Sequence, residues 1–278
     1  MQNGFYTVTG GMVTQFNRLD TISVNLANLR TDGYKKRDVI IGDFMRIFQE
    51  KRDELPLANQ TKEAAKFLNR SINRVPRIVE KYTDFAMGPM ANTGNPLDVA
   101  LGEKDLFFVV QTPQGLRLTR NGAFKLDDNG RLVTKEGYKV LSRNWFQNHR
   151  AITIPDDALK INISKNGRIE YLDQTAMDTP IYLDELMVVR VDDLKNLAPE
   201  GDGLFTMPGR NIQQQIHIVT ETAQVHQYML EKSNVNPIRE MTALIETNRL
   251  VEMYQKAMST QMDDMNGDAI NKLGSVRV

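Results

Sequence analysis

Cysteine is absent from the 278-residue chain. That excludes disulfides and thiolate chemistry, and it suits a protein that crosses or occupies an oxidising compartment. Charge of one sign is not in excess either: 35 Lys and Arg face 35 Asp and Glu, which argues against binding a polyanion such as nucleic acid. No run approaches the ~18 apolar residues of a membrane span. Met1-Gln2-Asn3-Gly4-Phe5 carries neither a basic segment nor an apolar stretch, so no cleavable secretory signal is expected and any export requires other machinery. Phosphate loop, nucleophile elbow and dinucleotide fingerprint are all missing, so no small-molecule substrate is expected. His149, His217 and His226 do not stand at metal-binding helical spacing. Asp127-Asp128-Asn129-Gly130 lacks the alternating ligands and closing Glu of an EF-hand and reads as a β-turn. The pairs Asp156-Asp157 and Asp192-Asp193 read as solvated turn residues, and Lys35-Lys36-Arg37 as a solvated or inter-subunit patch. No catalytic residue, cofactor or metal is expected.

What is present is an ordinary globular composition, 41% hydrophobic and 25% charged, with adhesive helices at both ends. Val8, Met12, Gln15, Leu19, Ile22 and Leu26 are spaced 4, 3, 4, 3, 4, a heptad stripe with one polar member. It predicts a helix from about Phe5 to Asn28, capped by Thr7 or Thr9 and stopped near Asp32-Gly33. Met241, Leu244, Asn248, Val251, Gln255, Met258, Met262 and Met265 repeat the pattern. They predict a second helix from Pro237 to Lys272, with Asn236 as its cap. At 1.5 Å per residue the two helices run roughly 36 and 54 Å. Alone, each leaves its stripe in water, so ordering of both ends is expected to be coupled to assembly. Gln15, Asn248 and Gln255 are expected to set register inside the packed stripes. Met241, Met253, Met258, Met262 and Met265 supply flexible contacts on or near the apolar face of the second helix.

Between the helices, short β-patterned runs recur with turn residues every 7 to 9 positions, an antiparallel meander. Leu106–Val110, Leu116–Arg120, Ala123–Leu126, Arg131–Thr134 and Tyr138–Leu141 are its clearest strands, and Asn121-Gly122 predicts a two-residue type I′ hairpin. Further strands are expected at Ile152–Ile154, Ile161–Ile163, Ile169–Leu172, Leu186–Val191, Ile212–Val219 and Val225–Leu230.

Three motifs carry a resemblance. Arg18-Leu19-Asp20-Thr21-Ile22-Ser23-Val24-Asn25-Leu26-Ala27-Asn28 with Thr31-Asp32-Gly33-Tyr34-Lys35 stands near the start, and Ser233-Asn234-Val235-Asn236-Pro237-Ile238-Arg239-Glu240-Met241-Thr242 near the end. Pro96–Leu101, Thr119–Phe124 and Gly130–Thr134 lie in the middle. Together they resemble the flagellar axial proteins, specifically the basal-body rod family, over nearly the whole chain except roughly residues 45–90. The resemblance implies a bacterial flagellar basal-body location in the periplasmic rod and export by the flagellar type III apparatus. It also implies a homo-oligomer in contact with neighbouring rod and hook-side axial proteins. Of the rod types, the proximal is favoured over the distal.

The expected fold is α+β: a discontinuous N/C-terminal helical coiled-coil domain, D0, and a mainly antiparallel β middle domain, D1. The expected bounds are 1–44 and 231–278 for the helical domain, 45–90 for a linker or small subdomain, and 91–230 for the β domain. The expected function is structural: helical assembly through the terminal helices into a hollow drive shaft that transmits torque. Subunit contacts are assigned to Val8, Met12, Leu19, Ile22, Asn25, Leu26, Asn28, Asn234, Asn236, Met241, Leu244, Asn248, Val251, Gln255, Met258 and Met262. Asn25, Asn28, Asn234 and Asn236 are read as caps. The rival from another class is a secreted carbohydrate-active enzyme with helical docking arms.

Overall fold

A computed structural model describes residues 2–43, 76–173, 179–209, 212, 216–219 and 223–274. The fold is α+β: two long terminal helices and a mainly antiparallel β middle. The chain divides into two compact units. One holds Met1–Ala27, Arg37–Tyr82 and Asn236–Val278; the other holds Asn28–Lys36 and Thr83–Val235. The short segments 28–36 and 231–235, grouped by sequence with the helices, belong to the β unit.

In the first unit the N-terminal helix spans Gln2–Ala27 and the C-terminal helix Pro237–Gly274, about 39 and 57 Å long. They pair antiparallel. Asn25 Nδ2 lies 3.1 Å from Glu240 Oε2. Fourteen residues back along one helix and fourteen forward along the other, Gly11 lies against Tyr254, where an added Cβ would fall 2.5 Å from the ring. The register is therefore constant along the seam. Thr14, Gln15, Ile22, Asn25, Glu240, Thr247 and Val251 are buried there. Part of each stripe thus finds cover within one chain.

The caps differ from expectation in an informative way. The N-terminal helix begins before Thr7 and Thr9, so neither caps it; Thr9 Oγ1 donates instead to the Phe5 carbonyl at 2.8 Å, a helix-interior bond. Asn236 does cap its helix, its Oδ1 accepting from the Ile238 and Arg239 N–H groups at 3.0 and 3.2 Å. Asn25 is not a cap. Its amide pairs with the backbone of Arg37 like a peptide group of a neighbouring strand: Oδ1 accepts the N–H at 2.9 Å and Nδ2 donates to the carbonyl at 2.8 Å. That fixes the start of strand Arg37–Asp43, which forms a two-stranded ribbon with Pro76–Thr83. Residues 44–75, most of the expected linker, lie outside the described residues.

The β unit is organised by strand Leu106–Thr112, which pairs antiparallel with Gly115–Thr119, Lys139–Val140 and Val188–Arg190. Alternate side chains point to opposite faces. Leu106, Phe108 and Val110 join one buried cluster with Val99, Phe124 and Ile152. Phe107 and Val109 join another with Phe85, Leu141, Met187 and Phe205. In the second, the rings of Phe85, Phe107 and Phe205 meet at centroid distances of 5.3 to 5.9 Å, the tilted and edge-on geometries that ring quadrupoles favour. A separate three-stranded sheet holds Ala158–Ile163, Arg168–Asp173 and Ile181–Glu185.

Three expectations for the β region differ from the structure, the first being that of the expected strand Ile212–Val219 only His217–Ile218 is strand among the described residues. Asn121-Gly122 is not a type I′ hairpin, since neither residue has positive φ. Strand Gly115–Thr119 pairs next with Leu204–Thr206. Gly122 is there for room: a Cβ would fall 1.8 Å from the Val99 carbonyl oxygen. The expected strand Val225–Leu230 is broken at Tyr228 (φ 65°) into Val225–Gln227, paired with Val99–Leu101, and Met229–Glu231, paired with Met90–Asn92. The turn at Asp127–Gly130 forms as read, with Asp127 Oδ1 accepting from the N–H groups of Asn129 and Arg131.

Asn25→Ala removes both bonds to Arg37 and the bond to Glu240. The expected cost is about 1–3 kcal/mol, read by hydrogen exchange as faster exchange of the Arg37 amide and of the helix pair, with the β unit unchanged.

Candidate functional site

Three charged side chains from distant parts of the chain meet inside the β unit. Lys35, Arg120 and Glu231 are 2%, 1% and 1% exposed. Glu231 Oε1 accepts from Lys35 Nζ at 2.6 Å and from the Gly88 N–H at 2.9 Å. Its Oε2 accepts from Arg120 Nη2 at 2.6 Å and Nε at 2.9 Å. The cations in turn donate to backbone: Lys35 Nζ to the Ala86 carbonyl at 2.8 Å, Arg120 Nη1 to the Leu106 carbonyl at 2.6 Å. Burial alone would push the Glu231 carboxyl up, but Arg120 and Lys35 outweigh it and hold it below the ordinary glutamate range. Burial pushes the Lys35 ammonium below the ordinary lysine range; Glu231 opposes that and Arg120 adds to it. Four donors saturate the carboxylate, so the cluster is a lock and not a proton carrier. Lys35, which the sequence places in a solvated or inter-subunit patch, is one of the largest fully buried side chains among the described residues.

The surrounding backbone is drawn in with it. The Gly33 N–H donates to the Glu231 carbonyl at 2.7 Å. Gly33 has φ +69°, and a Cβ there would fall 2.5 Å from the Asn121 nitrogen, so only glycine fits. Asn234, expected as a cap, pins two strands of backbone. Its Oδ1 accepts the Lys36 N–H at 2.7 Å, and its Nδ2 donates to the carbonyls of Asp84 and Ala86 at 2.9 and 3.0 Å. Asn28 holds the turn after the first helix, accepting from Thr31 Oγ1 at 3.2 Å. Asp32 accepts from Lys232 at 2.7 Å and Lys135 at 3.2 Å.

The heptad residues divide into two sets. On the N-terminal helix Ile22 and Asn25 are buried in the seam, and Val8, Met12, Leu19 and Leu26 are half-buried. On the C-terminal helix Val251 is buried and Leu244 and Met258 are half-buried, while Met241, Asn248, Gln255 and Met262 are exposed. The packed stripe there runs Glu240, Leu244, Thr247, Val251, Tyr254, Met258, one position round the helix from half of the expected one. Asn248 and Gln255 therefore lie outside the seam they were expected to register. Thr14, Gln15, Asn25, Glu240 and Thr247 are its buried polar members among the described residues. A second apolar stripe is left facing water on each helix: Val13, Phe16 and Val24 on one, and Ile238, Met241, Ile245 and Met262 on the other.

Glu231→Gln leaves two buried cations facing a neutral group. It is expected to destabilise the β unit by about 3–5 kcal/mol in chemical denaturation, whereas Lys135→Ala, on an exposed side chain, should change it by less than about 0.5 kcal/mol. Because Glu231 titrates below the ordinary glutamate value of about 4.3, its contribution is complete above that pH. It is lost as pH falls through the lowered native value. The acid-side slope of stability should flatten in the Gln variant.

Three family models match successive regions. "Flagella basal body rod protein" covers residues 5–35, "Flagellar hook protein FlgE/F/G D1 domain" 104–171, and "Flagellar basal body rod FlgEFG protein C-terminal" 226–272. Lys35, Arg120 and Glu231 fall one in each. Over its full length the chain is similar to the flagellar basal-body rod protein FlgF of Caulobacter vibrioides: 31% identical over 276 residues, 99% of this chain and 100% of the relative. It is also 31% identical over 277 residues to FlgG of Borreliella burgdorferi, 98% of each chain. To FlgG of Caulobacter vibrioides it is 28% identical over 266 residues, 91% of this chain and 93% of the relative. These matches overturn the reading as a secreted carbohydrate-active enzyme. The chain belongs to the flagellar basal-body rod protein family, a family of structural proteins and not of enzymes.

Proposed function

We propose that this chain assembles helically, in many copies, into the hollow axial rod of the basal body. In this reading the paired terminal helices form the inner D0 layer as a coiled coil, and the β unit forms the outer D1 layer. It leaves the cytoplasm through the flagellar type III apparatus, works in the periplasm, and meets other rod and hook-side subunits at its ends. The observation that carries this is the second apolar stripe on each helix. Pairing within the chain covers one stripe, yet Ile238 remains 75% exposed and Met241 and Ile245 each 54%. Side chains of this size at heptad spacing are stabilised by burial against further helices. Met241, Asn248, Gln255 and Met262, together with Val13 and Phe16, are the proposed contacts between copies; Ile22, Asn25 and Val251 hold the helix pair together within each copy.

A proximal, FlgF-type position is favoured over a distal, FlgG-type one. The support is the margin between the two relatives from the same organism, in both identity and coverage; the FlgG relative from Borreliella weighs the other way.

Met241→Asp and Ile245→Asp place a carboxylate on the outer stripe, which leaves the monomer stable but costs several kcal/mol in every copy that buries it. Cells carrying only either variant are expected to be non-motile, with the variant absent from purified basal bodies and its monomer helical by circular dichroism. Normal swarming with the variant incorporated would overturn the assembly reading.

A further inference from the structure

The chain has no thiol, so its thioethers are its softest oxidisable groups. Their distribution is uneven. Of 14 methionines, five lie on the C-terminal helix, and four of these are exposed: Met241 54%, Met253 59%, Met262 48% and Met265 39%. In the β unit, Met187 and Met207 are 1% and 5% exposed, while Met87 is 39% exposed. Met241 and Met262 sit on the outer stripe with Ile238 and Ile245. Leucine would fill the same volume on a helix and would not oxidise.

We propose that the exposed methionines of the C-terminal helix form a reversible oxidation site that switches off assembly of the unassembled chain. The oxidant class is a peroxide. The thioether sulfur attacks one peroxide oxygen, the S–O bond forms as the O–O bond breaks, and a proton passes to the departing oxygen, so that thioether and hydrogen peroxide become sulfoxide and water. The sulfur loses two electrons and the peroxide gains them. The product is polar and chiral, and its oxygen must keep water or find a donor when the stripe is buried. A helix carrying it is therefore a poor partner for another apolar face. Once copies have packed, the sulfurs of Met241 and Met262 are covered, so the sensitivity of these two is confined to the chain before it assembles. A thiol-dependent sulfoxide reductase restores the thioether, the thiols becoming a disulfide and the oxygen leaving as water. This inference rests on the assembly reading above.

The full chain is treated with hydrogen peroxide and each methionine followed by peptide mass spectrometry, with self-association read by sedimentation. Met241, Met253, Met262 and Met265 are expected to oxidise at least ~tenfold faster than Met187 and Met207. The treated chain should lose self-association while keeping its helix content, and methionine sulfoxide reductase should restore it. A chain with Met241→Leu, Met253→Leu, Met262→Leu and Met265→Leu should associate and ignore peroxide. If the untreated chain stays monomeric, the assembly reading fails and this one with it. If the untreated chain associates and the oxidised chain does so equally, or if the reductase restores nothing, only the oxidation site is overturned.

Discussion

A carboxylate taken out of water keeps its charge only if donors replace the water it has lost, and Glu231 is met on both oxygens. One donor comes from residue 35, one from residue 88 and two from residue 120. Each is useless to the others without the carboxylate between them: two buried cations at close quarters repel, and an unpaired guanidinium among Phe107, Leu101 and Leu106 is costly. Segments 28–36, 84–88 and 231–235 of the β unit are joined through that single group. Gly33 and Asn234 add bonds to backbone beside it, as do the Asp84 N–H to the Lys36 carbonyl and the Lys232 N–H to the Pro89 carbonyl.

Such a cluster contributes less to net stability than well-packed apolar residues of the same volume would. What it supplies is discrimination. An apolar plug tolerates sliding, whereas a carboxylate with four donors accepts one arrangement. Asn25 serves the helical unit in the same manner, its amide standing in for a peptide group beside Arg37. Each unit is thus held by apolar packing and given its register by a side chain that is saturated with hydrogen bonds.

The sequence makes some of this legible. Heptad spacing locates both helices to within a few residues, because little besides a long helix sustains a 3.5-residue repeat over many turns. Asn236-Pro237 marks a helix start because cap and first-turn chemistry are local. What stays hidden is set by distant partners. Nothing around Lys35 announces its burial, since Lys36 and Arg37 beside it look solvated and Glu231 lies 196 positions away. Asn121-Gly122 looks like a hairpin because the dipeptide is usually chosen for positive φ; here glycine answers a close approach by Val99, which only the tertiary structure reveals. The C-terminal stripe reads one position off at half its members for a physical reason. Met241 and Met262 are as apolar as Leu244 and Met258, so two adjacent faces of that helix carry nearly the same signal, and the sequence does not say which one meets the partner helix.

The division into two units has a mechanical side. The chain passes between them four times, from Ala27 to Asn28, from Lys36 to Arg37, from Tyr82 to Thr83 and from Val235 to Asn236. A load applied to one unit therefore has four covalent routes to the other. The short excursion 28–36 is pinned at its neck by Asn25 on Arg37 and along its length by Gly33 and Lys35 on Glu231. Within the β unit, that excursion cannot be pulled free without first breaking the saturated cluster around Glu231.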